Sequence, residues 1–178
     1  MAVLVEANSV IVRADAITTK FPGGFDAFKQ AVPNDTLCAD SELARVGFMT
    51  PGDVASFVKK LERYGLAYQR NGQAMDINVA DQLHGIATPC DWLEFGHIYL
   101  QHNHEQKIAA CRLAGGNVEE VIMPEGWVFE GSLSHTYGFA PSEHTSKSLR
   151  YLRHENGLDV FLNLVTNEEV YVGRTGES

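Results

Sequence analysis

Three of the chain's seven histidines, His97, His102 and His104, fall within nine residues that end on Glu105. Imidazoles beside a carboxylate are the raw material of a transition-metal site. Strand alternation tests that idea. If 97–102 is a strand, His97 and His102 are five apart and point to opposite faces, whereas His102 and His104 are two apart and share one. Two ligands then converge where zinc takes three or four. A third donor would have to come from His84, His135 or His144. A turn over 103–106 would also put Lys107 opposite His102, an ammonium against any bound cation, and Cys111 opposite Ile98. His102 and His104 are therefore metal candidates only if the fold delivers a third donor. The competing readings are a solvated polar hairpin tip and a pH-responsive surface. No cofactor is expected beyond that conditional transition metal.

A second pairing is Cys90 with His84. Thr88-Pro89-Cys90-Asp91 repeats the Thr-Pro-x-Asp pattern of residues 50–53. A cysteine at a helix start has a lowered pKa and can act as a thiolate, with His84 as its base. No cysteine-enzyme signature surrounds it, and a small residue packed between Pro89 and Trp92 is the plainer reading. The third candidate is the polar segment 132–147. It carries Ser132, Ser134, His135, Tyr137, Phe139, Ser142, Glu143 and His144. Loops of this length and content grip ligands or partners, so His135, Tyr137 and His144 are the candidate binding residues. Neither Gly23-Gly24 nor Gly115-Gly116 completes a nucleotide-binding motif, and there is no G-x-S-x-G. Glu119-Glu120 and Glu168-Glu169 put neighbours on opposite faces of a strand and suit solvated edges. Trp92 and Trp127 read as core anchors.

The elements that must hold these groups follow from pattern. Residues 3–13 read as a strand, and 15–21 add a helical turn or two before Pro22-Gly23-Gly24 breaks the chain. Phe25 and Phe28 predict a short helix over 24–31. Residues 36–38 and 42–48 form a hairpin turning at Ala39-Asp40-Ser41, its one wetter face carrying Leu43 and Arg45. Thr50, Pro51 and Asp53 then start a helix whose stripe is Val54, Phe57, Val58 and Leu61, and Gly65 stops it. A hairpin over 66–70 and 75–83 turns at Asn71-Gly72. Residues 88–95 suit either a helical turn or a strand. Strands follow at 97–102, 107–113, 118–123 and 127–133. The tail is a meander of 149–154, 158–165 and 170–173, turning at Asn156-Gly157.

The expected fold class is α+β. A β-α-β-β-α-β first half, of ferredoxin-like order, precedes a mostly antiparallel β second half. The halves divide as 1–86 and 87–178, or merge into one continuous domain.

Composition narrows the function. The chain has 178 residues, 44% hydrophobic and 21% charged, enough to bury a core without staples. Its net charge of −9, from 14 Lys+Arg against 23 Asp+Glu, disfavours nucleic acid and anionic membranes. Three cysteines without a C-x-x-C pair, no basic leader and no membrane-length apolar run lead to an expected cytoplasmic location. Three functions are open. The first is a non-catalytic binding or protein-interaction module with an acidic surface, its partner a basic protein or a small molecule. The second is a sensory domain with a small-molecule pocket near loop 132–147. The third is a metal- or cysteine-dependent enzyme built on the 84–111 His/Cys cluster.

Overall fold

The computed structural model describes residues 1–100, 106–116, 120–130, 132–136, 149–155, 158–163 and 168–173, with backbone alone described from residue 135 onward. The first apolar run is two strands, β1 (Ala2–Val5) and β2 (Asn8–Arg13). Glu6-Ala7 breaks it, with Ala7 at φ 46°. Two contacts fix the corner. Glu6 N–H donates to Ser9 Oγ at 3.2 Å, and Ala7 N–H donates to Gln82 Oε1 at 3.0 Å. An uninterrupted strand would carry Glu6 onward in the same sheet; the corner instead hands the chain from one sheet to another.

Helices α1 (Ala14–Lys20) and α2 (Gly24–Ala31) follow, then β3 (Cys38–Ala39), β4 (Leu43–Phe48) and α3 (Pro51–Arg63). The Thr50 hydroxyl caps α3, accepting from Asp53 N–H at 3.2 Å. That satisfies one of the donors a helix start leaves orphaned. Short strands β5 (Gln69–Arg70) and β6 (Gln73–Ala74) flank the Asn71-Gly72 turn. Both turn residues have positive φ, 54° and 77°, as a type I′ hairpin requires. Then come β7 (Ile77–Asp81) and β8 (Gly85–Ile86).

Strands β3, β4, β2, β7 and β8 lie in that order in one antiparallel sheet. The chain visits this layer as β2, α1–α2, β3, β4, α3, β7. Period-two alternation sends Val10, Val12, Ala44, Val46, Phe48 and Ile77 to one face. The helices cover that face with Ile17, Phe28, Phe57 and Leu61. Phe57 packs at 5.3 Å from Phe48 and 6.4 Å from Phe28, ring centre to ring centre.

The opposite face meets a second sheet. Strands β9 (Leu93–Tyr99), β10 (Lys107–Leu113) and β11 (Val121–Ile122) join β1 in the order β11-β1-β10-β9. Thus β1 and β10 pair across position 86, and both sides of that position share one apolar layer. Val3, Val5, Ala109, Cys111 and Leu93 pack onto Ile11, Leu43 and Ala80 between the sheets. On the far side of the second sheet, Trp127 and Phe129 lie over Leu4 and Ile108. The order of layers is helices, five-stranded sheet, four-stranded sheet, then the segment that ends in α4 (Leu133–Thr136). The tail forms its own antiparallel meander, β12 (Leu149–Glu155), β13 (Leu158–Asn163) and β14 (Glu168–Gly173). The fold class is α+β, as the sequence predicts.

Three sequence expectations change. Leu43 and Arg45 do not take a wetter face; Arg45 is 1% exposed because the second sheet covers it. Lys107 pairs with Tyr99 and Cys111 with Phe95, three residues from the expected register. Residues 127–130 are not a strand; they cross the outer face of the second sheet as irregular chain.

Candidate functional site

The candidate sites separate once placed. His84 and Cys90 are both described, and no hydrogen bond between them is among the described contacts. His84 Nδ1 lies 3.4 Å from Asp81 Oδ1. Cys90 Sγ accepts from Asn78 Nδ2 at 3.4 Å. Residues 88–92 form no helix, so the helix-start argument for an activated Cys90 does not apply. Asn78 carries this loop: fully buried, it also donates to Thr88 O at 2.8 Å. The other thiols are deeply buried. Burial pushes Cys38 up, against the lowering influence of the neighbouring Arg45. Burial also pushes Cys111 up to about 12. Both are therefore neutral thiols at physiological pH.

His97 is separated from the other histidines of its stretch by its role in packing. Its Nε2 lies 2.9 Å from Gln82 O, and its ring meets Phe95 edge-on at 5.1 Å. His102, His104, Tyr137 and His144 lie outside the described residues, and His135 is described as backbone within α4. Among the described residues no three His, Cys, Asp or Glu side chains group as metal ligands. No helix of the described residues is long and apolar enough to cross a membrane.

Two other constellations come from the fold itself. The first is a buried polar knot at the β1–β2 corner. Glu6 Oε2 accepts from Ser134 N–H at 2.8 Å and from Ser134 Oγ–H at 3.0 Å. Glu6 Oε1 accepts from Trp127 Nε1–H at 3.1 Å and lies 3.8 Å from Arg45 Nη2. Arg45 also donates from Nε to Ser9 Oγ and from Nη1 to Thr36 O. Gly47 makes room for it, since a Cβ there would come within 2.7 Å of Arg45 Nη2. The knot ties the 127–134 segment to the inter-sheet layer. Its donors and acceptors are largely spent on one another.

The second constellation is open. A cleft of about 630 Å³ lies beside β8 and the β9–β10–β1 sheet. Register explains its shape. On the outer face, Ala2, Arg112 and Glu94 lie side by side across three strands. Leu4, Ala110 and Gly96 make the next row, and Ile108 and Ile98 the row after. In that middle row only Ala110 and Gly96 are small, and of the three only Gly96 is exposed. Walls of larger side chains stand on either side. At one end Arg112 Nε donates to Glu94 Oε2 at 2.8 Å. At the other Ile98 turns toward the Trp127 and Phe129 cluster. His84, Gly85 and Ile86 border the β9 side.

Sequence reasoning missed Glu94, Gly96, Ala110 and Arg112. A glycine inside a strand signals a close approach or a bare surface. That signal is present at Gly96, but residues 88–95 suit a helical turn as well as a strand, so the sequence alone does not fix the face Gly96 takes. The chain matches no family model, no curated protein and no solved structure.

Proposed function

We propose that this chain is a non-catalytic binding protein whose small-molecule ligand occupies the cleft beside β8 and β9. One observation carries the reading: a cleft of about 630 Å³ whose wall is mostly apolar, with a few polar groups at its rim. Small-molecule sites have volumes of roughly 300–1,000 Å³ and this kind of lining. The nearby titratable groups favour binding over chemistry. The Cys111 thiol is neutral and turns into the inter-sheet layer, away from this face, and Arg112 Nε is spent on Glu94. The cleft is set by strands, which hold a site in shape better than loops do. It therefore replaces loop 132–147 as the proposed location.

Gly96 provides the test. A Cβ built there meets nothing within 4 Å, and its φ is not in the left-handed region. Gly96→Leu should fold and fill the cleft. A soluble fragment library screened by amide chemical shifts should give hits that move Ile86, Gly96 and Ala110. Those hits should vanish in Gly96→Leu. Hits that scatter over the surface, or survive the substitution, would reject the cleft.

A further inference from the structure

Resting on that reading, we infer that the cleft's ligand is a short extended peptide, paired antiparallel to the open edge of β9, with a large apolar side chain over Gly96 and a basic one beside Glu94.

The edge argues for a peptide backbone. β9 ends its sheet, in the order β11-β1-β10-β9. Ala114 N–H donates to Trp92 O, and Leu100 N–H donates to Gln106 O. The even-numbered residues of β9 therefore bond β10, and antiparallel alternation turns the N–H and C=O of Leu93 and Phe95 to the open edge. Neither residue has a main-chain hydrogen bond on that side among the described residues. β8 ends the five-stranded sheet at the same cleft, and its Ala87 N–H donates to Val79 O, which turns the main-chain groups of Ile86 outward in the same way. Strand edges with unmade main-chain bonds are templates for an added strand. β9 has seven residues against two in β8, so it is the edge long enough to take one.

The side chains along the edge argue for the peptide's sequence. An added antiparallel strand places one residue opposite Gly96, the next opposite Phe95 and the next opposite Glu94. The first and third share the outer face. Gly96 is exposed, and a Cβ there meets nothing within 4 Å. The first residue is therefore large, since an aromatic across from a strand glycine covers its bare backbone. The second points to the inner face, where β8 closes in: a Cβ on Gly85 would come within 3.0 Å of the Phe95 ring. That residue is small. Beside the third, Glu94 gives Oε2 to Arg112 Nε and keeps Oε1 without a hydrogen bond among the described residues. The chain's net charge of −9 adds a longer-range pull on a cation.

The probe is the peptide acetyl-Thr-Phe-Thr-Arg-Thr-amide, titrated into the full chain and followed by amide chemical shifts. It should move Ile86, Phe95 and Gly96. N-methylation of its central Thr removes the hydrogen that meets Phe95 O and should weaken binding about tenfold. N-methylation of its Arg, whose N–H points away from β9, should change binding by less than about twofold. Replacing the probe's Phe by Gly should cost about tenfold in the parent chain and make no difference in Gly96→Leu. Replacing its Arg by Glu should cost about threefold, and less at high salt. Equal losses from the two N-methylations, or no preference for Phe, would overturn the strand pairing and leave the cleft standing. So would a Phe95 amide already protected from exchange in the free monomer, or one whose protection rises with dimerisation in sedimentation, because the chain itself or a second copy then holds the edge. Silence from every peptide while unrelated fragments still titrate Gly96 and Ala110 would overturn the peptide class alone. If nothing titrates those amides, the binding reading itself is lost.

Discussion

The two faces of the five-stranded sheet are built from the same strands and obey opposite rules. The buried part of the helix-covered face is apolar. Val10, Val12, Ala44, Val46 and Ile77 meet Ile17, Phe28, Phe57 and Leu61. The sheet-covered face mixes Ile11, Leu43 and Ala80 with Ser9, Arg45 and Asn78, all at most 1% exposed. An apolar layer asks only for volume and shape. A buried polar group must also find partners, since each one left unmade costs about 1–3 kcal/mol. The helix face is therefore specified locally. The other face is specified by residues far away in sequence: Glu6 bonds Ser134 across 128 positions.

The sharpest way to break this comparison is to remove the anchors singly and together. Glu6→Ala takes the acceptor from Ser134 and Trp127 and leaves Arg45 buried without its ion pair. Breaking a buried pair on one side costs about 3–5 kcal/mol. Phe57→Ala on the helix face should cost a similar amount, about 3–5 kcal/mol, through the cavity it leaves. What differs is rescue. Replacing Glu6 and Arg45 together by Leu and Met removes both charges, and the pair of substitutions should be milder than Glu6→Ala alone. No second substitution of that kind refills the hole at Phe57. Denaturant unfolding measures both series. Amide exchange should show 127–134 opening first in Glu6→Ala. If the double substitution is as damaging as the sum of the two singles, the knot is not an electrostatic unit.

This asymmetry explains what could be read beforehand. The α3 stripe, its Thr50 cap and the Asn71-Gly72 turn are local, and each is visible within a few residues. The period-two alternation of β4 is also local, but it says only that Leu43 and Arg45 share a face. Whether that face is wet depends on β1 and β10, whose pairing brings Val3 opposite Cys111. Glu6 looks like an interruption in an apolar run because the donors to its carboxylate, Trp127 and Ser134, lie beyond residue 120. The cleft was hidden for the same reason. Ala2, Gly96 and Ala110 are unremarkable singly and come to one face only in register. Histidine spacing, by contrast, drew attention to types without geometry, and His97 is held by Gln82 and Phe95.

A gentler probe of the sheet-covered layer uses its thiol. Cys111 is 1% exposed, and burial pushes it up to about 12, against about 8.5 in an unfolded chain. Between those values the folded state keeps a proton that the unfolded state releases. Stability is therefore fully present below about pH 8.5 and is lost as pH rises toward 12, by up to about 1.4 kcal/mol per unit. Cys111→Ala should flatten that part of the profile relative to the parent. The helix-covered cluster contains no titratable side chain among its buried members. Phe57→Ala should thus lower stability equally at pH 7 and pH 10. A parent profile with the same alkaline slope as Cys111→Ala would remove the thiol from the account.

The smallest effect tests whether the helix face is as local as its pattern suggests. Thr50 is exposed, and its hydroxyl oxygen accepts from Asp53 N–H while its own hydrogen goes to Asp53 Oδ2 at 3.0 Å. Thr50→Ala should cost about 1 kcal/mol, and Thr50→Ser should restore most of it, because serine caps as well as threonine. The loss should be confined to the first turn of α3, where amide exchange at Asp53 and Val54 quickens. It should leave the Trp127 emission unchanged, since Trp127 reports on the Glu6 knot across two sheets. An emission shift in Thr50→Ala would mean that the two faces are coupled through the sheet. The contrast between a locally specified layer and a distantly specified one would then have to be given up.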